Sequence, residues 1–234
     1  MNYFDTLENK RKHVKKYNML RDPPPKECVE RALYKAWKTT PGKNNAMAYQ
    51  VLVWGPDKKE EKIKIHSLCV KAHTKAEERG VADKKIPEVK ITQGGVPNPY
   101  YEHIKLNPYL FTIHSRLAKP NRFYKGQEKT GHFYDQGYEH MIEHIIDSVS
   151  VEVGMFVSNL GYYLLEEGLD IAHNSCFRRR PEEWHKVGLN MVKRRPITML
   201  TCGYAQRYRI QDLEDWGKGT WDKKPEMDEI VKWM

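Results

Sequence analysis

The densest group of cationic side chains lies close to the N-terminus, where it could bind an anion. Residues 10–16 contain five Lys or Arg side chains and one histidine. In a helix starting near Asp5-Thr6, Arg11 and Lys15 would share one face at i, i+4 spacing. Two cations at that spacing repel each other unless an anion lies between them. A solvated basic helix end is the alternative, and this segment alone leaves both interpretations open.

The whole chain is basic, with a formal net charge of +9 over 234 residues. Three hypotheses follow: contacts to nucleic-acid phosphates, a solvated lysine-rich surface, or a local group that holds one small anion. A nucleic-acid surface should interleave aromatic and basic side chains. Trp37, Trp54, Phe156 and Tyr163 instead occupy positions typical of a core. We keep nucleic-acid binding as an alternative and do not expect it.

A second group of reactive side chains, His173, Ser175 and Cys176, lies beyond the middle of the chain. Neighbours in sequence need not face one another, and no GxSxG elbow supports a catalytic triad. The HMIEH segment at 140–144 puts two histidines on one helix face, but no third zinc ligand follows at a recognisable spacing. Neither GxGxxG nor GxxxxGK[ST] occurs. We predict no metal site and no Rossmann or P-loop nucleotide site.

The element that must position these reactive residues is a long helix predicted over residues 137–166. Its apolar side chains recur at helical spacing, and Val151, Met155 and Val157 add apolar residues off that stripe. A helix that is apolar on more than one face belongs in the middle of a structure. Gly168 ends it, and Asp170 to Phe177 follows as a short turn or strand. The helix is therefore predicted to present this segment's backbone to a ligand.

The remaining pattern predicts few strands among several helices. Strands are predicted over 49–54, 107–115 and 195–205, and helices from Pro25, across 57–90 with Ile63 among its inward residues, and from Pro181 to a C′ glycine at 188. Residues 91–108 are predicted to be a loop and 116–136 a polar connection. This is an α+β pattern, a three-layer α/β/α sandwich with a small central sheet.

Composition places this fold in one domain and in the cytoplasm. The four cysteines form no CxxC pair, which favours free thiols. The N-terminus lacks the apolar stretch of a secretory signal, and no apolar run is long enough to cross a membrane. We expect a cytoplasmic protein with a single domain, residues 1–234, whose polar C-terminal arm spans about 206–234.

Five segments occur in an order that carries a family resemblance. They are residues 11–17 (RKHVKKY), 41–49 (PGKNNAMAY), 153–177, 202–204 (CGY) and 222–231 (DKKPEMDEIV). In turn they resemble the R-R-S-x-R-x-F/Y opening, the P-S-x-x-N-x-Q-P-W loop, the central helix with its G-L-G and flavin-passing segment, the strand ending in G-Y, and the basic motif before E-x-V. This is the order found in the nitroreductase family of FMN-dependent oxidoreductases. The resemblance covers most of the chain and is weakest over 57–136.

The resemblance implies an FMN cofactor, whose phosphate dianion would be held by charge-assisted hydrogen bonds. Ser175 and Cys176 fall where the family presents backbone N–H groups near the flavin N5 and O4, the catalytic position. The cofactor-binding residues implied by the resemblance are Arg11, Lys12, His13, Lys15, Gly42, Asn45, Ala172, His173, Asn174, Lys223 and Lys224.

The resemblance also implies an intertwined homodimer with the flavin at its interface and a ping-pong reaction. NAD(P)H would reduce the flavin, and a nitroaromatic, quinone or similar acceptor would reoxidise it in a pocket built from residues 91–136. The sequence departs from the family pattern at His13, at Gly42 and at Met47-Ala48. It also has lysine at positions 15 and 224, where the family commonly has arginine, and lysine lacks the bidentate fork of arginine. A flavin-binding protein without turnover is therefore an alternative.

Overall fold

The structure is a computed structural model that describes residues 14, 16–42, 47–78, 102–116, 139–192, 194–205 and 230–231. For residues 70–78, 102 and 139–148 the description is limited to the helical backbone. The helices are α1 (Lys26–Thr39), α2 (Lys59–Glu78), α3 (Glu102–Lys105), α4 (Glu139–Glu166) and α5 (Pro181–Lys186), and the strands are β1 (Tyr49–Trp54), β2 (Tyr109–Ser115), β3 (Asp170–Asn174) and β4 (Pro196–Gly203).

The four strands form one antiparallel sheet in the order β1-β2-β4-β3. Successive side chains of a strand point to opposite faces, and β2 shows this clearly. Phe111 and Ile113 join the apolar cluster that contains α1 and α4, whereas Leu110 joins a second cluster with α2 and α5. Helices therefore cover both faces of a small sheet, which confirms the predicted α+β fold.

Helix α4 ends as its sequence predicts. Gly168 has φ +77°, its N–H donates to the Leu165 carbonyl at 3.0 Å, and the Leu169 N–H reaches the Leu164 carbonyl at 2.9 Å. This Schellman arrangement favours glycine because a Cβ is strained at that φ. Helix α5 ends in the same way at Gly188, so both predicted helix ends are confirmed. None of the described helices has the length and hydropathy needed to span a bilayer.

Two side chains predicted to be in the core are exposed instead. Trp37 is 55% exposed and Ile63 is 56% exposed. Helix α1 buries the stripe of small residues that ends at Ala36, which leaves Trp37 on the outer side. In α2 the buried position next to Ile63 is taken by a lysine, Lys62, so the apolar pattern alone misplaces that face.

The chain before β2 also differs from the prediction. The stretch predicted as a loop contains the short helix α3, and β2 begins at Tyr109 rather than at residue 107. The Asn107 side chain explains both differences, since its Nδ2 donates to the carbonyls of His103 and Ile104 at 2.8 Å each. Asn107 thereby satisfies the carbonyls that end α3 and cannot start the strand.

Candidate functional site

Strand β3 is an edge strand of the sheet, and its outer edge is partly covered by the N-terminal segment. On one side β3 pairs with β4, from Asp170↔Gly203 to Asn174↔Met199. On the other side the Val14 N–H donates to the Ile171 carbonyl at 3.0 Å. Because backbone groups alternate in direction along an antiparallel strand, the backbone of His173 faces the same outer edge as that of Ile171.

Two further contacts anchor the N-terminal segment beside the sheet. The Tyr17 hydroxyl lies 2.8 Å from Thr201 Oγ1, and the Asn18 N–H donates to the Tyr204 carbonyl at 2.7 Å. Tyr17 is buried, and this burial raises the pKa of its hydroxyl well above the usual range, so it stays neutral. The described residues of this segment, Val14, Tyr17 and Asn18, therefore lie next to the sheet.

Gly203 is the residue that lets these parts approach. A Cβ at Gly203 would lie 2.6 Å from Cδ of Pro108 and 3.0 Å from Cδ1 of Tyr17. The guanidinium of Arg21 lies 3.4 Å from the centre of the Tyr204 ring, a cation–π contact on the next residue. The Gly-Tyr pair at the end of β4 thus has a packing role on both residues.

Helix α4 packs against β3 at a second glycine, Gly161. A Cβ at Gly161 would lie 2.9 Å from Ile171 Cδ1 and 4.0 Å from His173 Nε2. Leu160 and Leu164 on the same helix are fully buried. The absence of a side chain at Gly161 therefore permits the close packing that holds β3 in place.

The turn after β3 is organised by Asn174, which is buried. Its Oδ1 accepts the Cys176 N–H at 2.7 Å, and its Nδ2 lies 3.9 Å from Cys69 Sγ. Ser175 and Cys176 are exposed. Among the described residues the Ser175 N–H has no hydrogen-bond acceptor, whereas that of Cys176 is already engaged. The main-chain donor that this turn offers to a ligand is thus the Ser175 N–H.

Three consecutive arginines follow this turn and differ in their surroundings. Arg178 Nη1 binds Glu183 Oε2 at 2.8 Å, and the Arg178 carbonyl accepts the Trp184 indole N–H at 2.9 Å. Arg179 Nη2 donates to the Ser175 carbonyl at 3.2 Å. Arg180 is exposed and precedes α5. Sequence reasoning passed over this run.

Gly42 lies in a different part of the molecule, beside the middle of α4. A Cβ on Gly42 would lie 3.1 Å from Met47 Sδ and 3.5 Å from Glu152 Oε2. Arg116 Nε holds the end of this loop by donating to the carbonyls of Met47 at 2.7 Å and Tyr49 at 2.9 Å. The Met47 side chain thus occupies the space beside Gly42 that a serine would need.

A buried carboxyl, Glu152, gives the Gly42 loop its electrostatic character. Glu152 is 7% exposed. Burial, followed by the charge of Glu152, raises the pKa of the Tyr49 hydroxyl to about 12. Gly42 therefore lies beside a buried acidic side chain.

The contacts of α4 place these two regions on opposite sides of the helix. Glu152, which neighbours Gly42, and Gly161, which neighbours β3, are nine residues apart. At about 100° and 1.5 Å per residue, nine residues correspond to roughly half a turn of rotation and about 13 Å along the axis. A single chain therefore does not bring Gly42 to the β3 edge.

The predicted site residues divide accordingly. Five of them lie together at the end of β3 and in the turn that follows: Ala172, His173, Asn174, Ser175 and Cys176. Gly42 lies apart from them. Seven lie outside the described residues: Arg11, Lys12, His13, Lys15, Asn45, Lys223 and Lys224. The HMIEH backbone is helical, its side chains also lie outside the description, and the described side chains form no cluster of three metal-binding groups.

Lys62 is a buried cation that the sequence pattern did not indicate. Its side chain is 1% exposed, and Nζ donates to the carbonyls of Asn107 at 2.7 Å and Pro108 at 3.0 Å. Burial lowers the pKa of Lys62 to about 8. Since Pro108 packs against Gly203, Lys62 connects α2 to the strand end that holds the N-terminal segment. Its role is structural support.

Comparison with known proteins gives a consistent result for structure and none for sequence. A scan against protein-family models and a search of curated proteins each find no match. A BluB-like flavoprotein from Clostridium difficile matches with a TM-score of 0.61 at 14% identity, over 100% of both chains. A nitroreductase family protein from Streptococcus pneumoniae matches with a TM-score of 0.58 at 14% identity, over 99% of this chain and 100% of that one.

A third similar structure was solved with a ligand. It is a protein from Exiguobacterium sibiricum assigned as a nitroreductase, in complex with FMN, with a TM-score of 0.60 at 12% identity over 100% of this chain and 98% of that one. Likeness at this identity concerns the fold alone, and it extends over the full length of the chain. The protein therefore has the nitroreductase-like α+β fold that its ordered motifs predicted.

Proposed function

We propose that this protein is an FMN-dependent oxidoreductase that takes hydride from NAD(P)H and passes it to a small acceptor such as a nitroaromatic or a quinone. One observation carries the proposal: the Val14–Ile171 hydrogen bond. It places Val14, whose neighbours in the sequence are cationic, at the strand that leads into the Ser175 turn. A ligand that carries both a phosphate group and a redox-active ring needs cations for the phosphate close to main-chain donors for the ring.

The residue types near this edge are suited to binding FMN. Arg11, Lys12, His13 and Lys15, on either side of Val14, would hold the phosphate dianion, with Lys223 or Lys224 joining from the C-terminal arm. The ring would lie along Ala172 to Cys176. When bound, FMN supplies hydride transfer at N5 in two half-reactions, first from NAD(P)H and then to the acceptor.

The protein's own contribution at the ring would be a fixed donor. The Ser175 N–H has no acceptor among the described residues, and a donor aimed at the ring stabilises negative charge there. Asn174 holds the turn by accepting the Cys176 N–H, so that Cys176 needs no nucleophilic role. Asn174 is therefore a positioning residue, and Ser175 acts through its backbone.

We also propose a cytoplasmic homodimer of single-domain chains, 1–234, in which residues about 206–234 form an arm that crosses to the partner. The placement of Gly42 on the far side of α4 supports this, because only a second copy could bring a Gly42–Asn45 loop to a β3 edge. Exposed Val151 (64%) and Met155 (36%), one turn apart on α4, offer an apolar surface for such a contact.

The test is the purified protein itself. We expect a visible flavin absorption band, a released cofactor that co-migrates with FMN, and bleaching under anaerobic conditions on addition of NADH or NADPH. A panel of nitroaromatics and quinones should then restore the band. A colourless protein that fails to bind added FMN contradicts the proposal. FMN binding without reduction would instead favour the alternative of a flavin-binding protein without turnover. The Met47 side chain, which fills the space beside Gly42, gives that alternative a structural basis.

A further inference from the structure

We infer that Arg179 and Arg180 form a binding site for an anionic group on the small molecule that reacts at the flavin. The inference rests on the proposed function and adds the charge of the substrate to it. Its basis is the unequal use of three consecutive arginines immediately after the Ser175 turn.

The first arginine of the run is structural. Arg178 is only partly exposed, at 19% of its side chain, and its guanidinium is neutralised by Glu183 at 2.8 Å. Its carbonyl also receives the indole N–H of buried Trp184. The charge of Arg178 is thus compensated within the protein, which distinguishes it from the two arginines that follow.

The second arginine is held in place with its charge uncompensated. Arg179 is exposed, its Nη2 donates to the Ser175 carbonyl at 3.2 Å, and its guanidinium carbon lies 5.6 Å from the centre of the Phe177 ring. These contacts hold the guanidinium close to the Ser175 backbone. No carboxylate of the described residues pairs with it.

Arg180 adds a second cation at the next position. It is exposed and, among the described residues, has no ion-pair partner. The nearby acidic side chains are Glu182, which is exposed, and Glu183, which already pairs with Arg178 and lies 3.8 Å from Lys186. Among the described residues beside the turn, Arg179 and Arg180 therefore lack an ion-pair partner, and Glu182 is a nearby carboxylate that also lacks one.

The chemistry of this pair selects a planar or tetrahedral oxyanion. A guanidinium binds carboxylate or phosphate through two parallel hydrogen bonds. Two sources can bring such a group to the ring: the additional phosphate of NADPH, or an acidic acceptor such as a nitrobenzoate. A neutral nitroaromatic offers nothing to these arginines.

The experiment compares, in the FMN-loaded protein, pairs of ligands that differ by one anionic group. The reductive arm measures the rate of flavin reduction with NADPH and with NADH, and the oxidative arm measures kcat/KM with 4-nitrobenzoate and with nitrobenzene. The variants are Arg180→Ala and Arg179→Lys, which keeps the charge but loses the fork. Lys59→Ala, an exposed lysine on α2, is the control for net charge.

We expect Arg180→Ala to lower the preference for the ligand with the additional anionic group over its counterpart roughly tenfold in one arm, because a charge-assisted hydrogen bond is lost. Arg179→Lys should lower it less, and Lys59→Ala should leave it unchanged. The arm that responds identifies the source of the anion. A preference that Arg180→Ala and Arg179→Lys leave unchanged in both arms would overturn the inference while leaving the proposed function intact. Failure of the wild-type protein to bind or reduce FMN would overturn both.

Discussion

The polar groups at the outer edge of β3 differ in their hydrogen bonding from those on the opposite face of the sheet, which packs against α2 and α5. On the opposite face, the Trp54 indole N–H donates to Thr112 Oγ1 at 3.0 Å, and that hydroxyl lies 2.7 Å from His114 Nε2, all of it buried. At the β3 edge, the Ser175 N–H has no acceptor, and Arg179 and Arg180 have no carboxylate partner, among the described residues. On the opposite face three buried side chains bond one another, with His114 Nδ1 left unpaired among the described residues, whereas at the β3 edge the unpaired groups belong to exposed residues and are available to a ligand.

The contrast is sharpened by what holds each region. His114 packs edge-on against Trp184, with ring centres 5.3 Å apart, inside a complete apolar cluster. The β3 edge instead depends on glycines: Gly161 below it and Gly203 beside it. We therefore expect changes at the β3 edge to affect the ligand, and changes at His114 to affect stability alone.

The largest effect should come from the phosphate cations. Arg11→Ala combined with Lys15→Ala should weaken FMN binding by about 3–6 kcal/mol, from two charge-assisted bonds of roughly 1.5–3 kcal/mol each. Riboflavin, which lacks the phosphate, should lose much less. Titration of the apoprotein with each ligand by flavin fluorescence measures both. Equal losses for the two ligands would show that these residues do not bind the phosphate.

The opposite face should respond to pH. Burial lowers the pKa of His114 to about 4. Its folded pKa is then below its unfolded value of about 6.5, so the unfolded state binds more protons between these limits and stability falls as the pH drops from about 6.5 to 4. The full loss is about 3 kcal/mol.

Urea unfolding at several pH values with FMN bound and with FMN removed measures this loss. His114→Gln should flatten the acid limb by that amount and leave FMN affinity at neutral pH unchanged. An acid limb of the same steepness in His114→Gln would mean that other groups carry the pH dependence. A change in FMN affinity would break the separation between the two regions.

An intermediate effect is expected at Gly203. Gly203→Ala places a methyl group against Pro108 and Tyr17 and should cost about 1–3 kcal/mol of stability, typical of overpacking. Because Tyr17 anchors the N-terminal segment, FMN affinity should fall as well. Urea unfolding and flavin titration of the same variant test both effects. Loss of stability with unchanged FMN affinity would separate the segment from the cofactor.

The smallest effect is expected at Cys176. Cys176→Ser should retain FMN and most of the activity, because the turn is held by the Cys176 N–H and the exposed thiol has no assigned chemistry. Steady-state turnover with NAD(P)H and an acceptor measures this. Activity abolished in a folded, yellow Cys176→Ser protein would instead support a nucleophilic thiol.

Much of the architecture could be predicted because it follows from local pattern. The spacing in α4, the glycines at 168 and 188, and the strand around Trp54 each specify their own conformation through periodicity or backbone freedom. The grouping of residues 172–176 could be predicted because they directly follow that helix in the sequence. Their closeness to residue 14 could not, since it depends on which strand lies at the sheet edge.

The misplaced residues show where local pattern stops. Lys62 is buried because its amine donates hydrogen bonds to two carbonyls of a loop distant in the sequence. Its neighbour Ile63 is exposed as a consequence. Nothing in the sequence around Lys62 indicates those acceptors. Trp37 similarly lies outside because α1 packs through small residues. Asn174 could have been noticed, since an Asn side chain often accepts the N–H two residues on.

The central claim, that FMN lies on the β3 edge and uses the Ser175 N–H, is tested most directly by comparing Ser175→Pro with Ser175→Ala. Proline removes the N–H and restricts φ to about −65°, whereas alanine keeps the main-chain donor. In anaerobic stopped-flow reduction of the FMN-loaded proteins by NAD(P)H, we predict a rate at least about 100-fold lower for Ser175→Pro and near the wild-type rate for Ser175→Ala. Equal rates for all three folded proteins would contradict the claim.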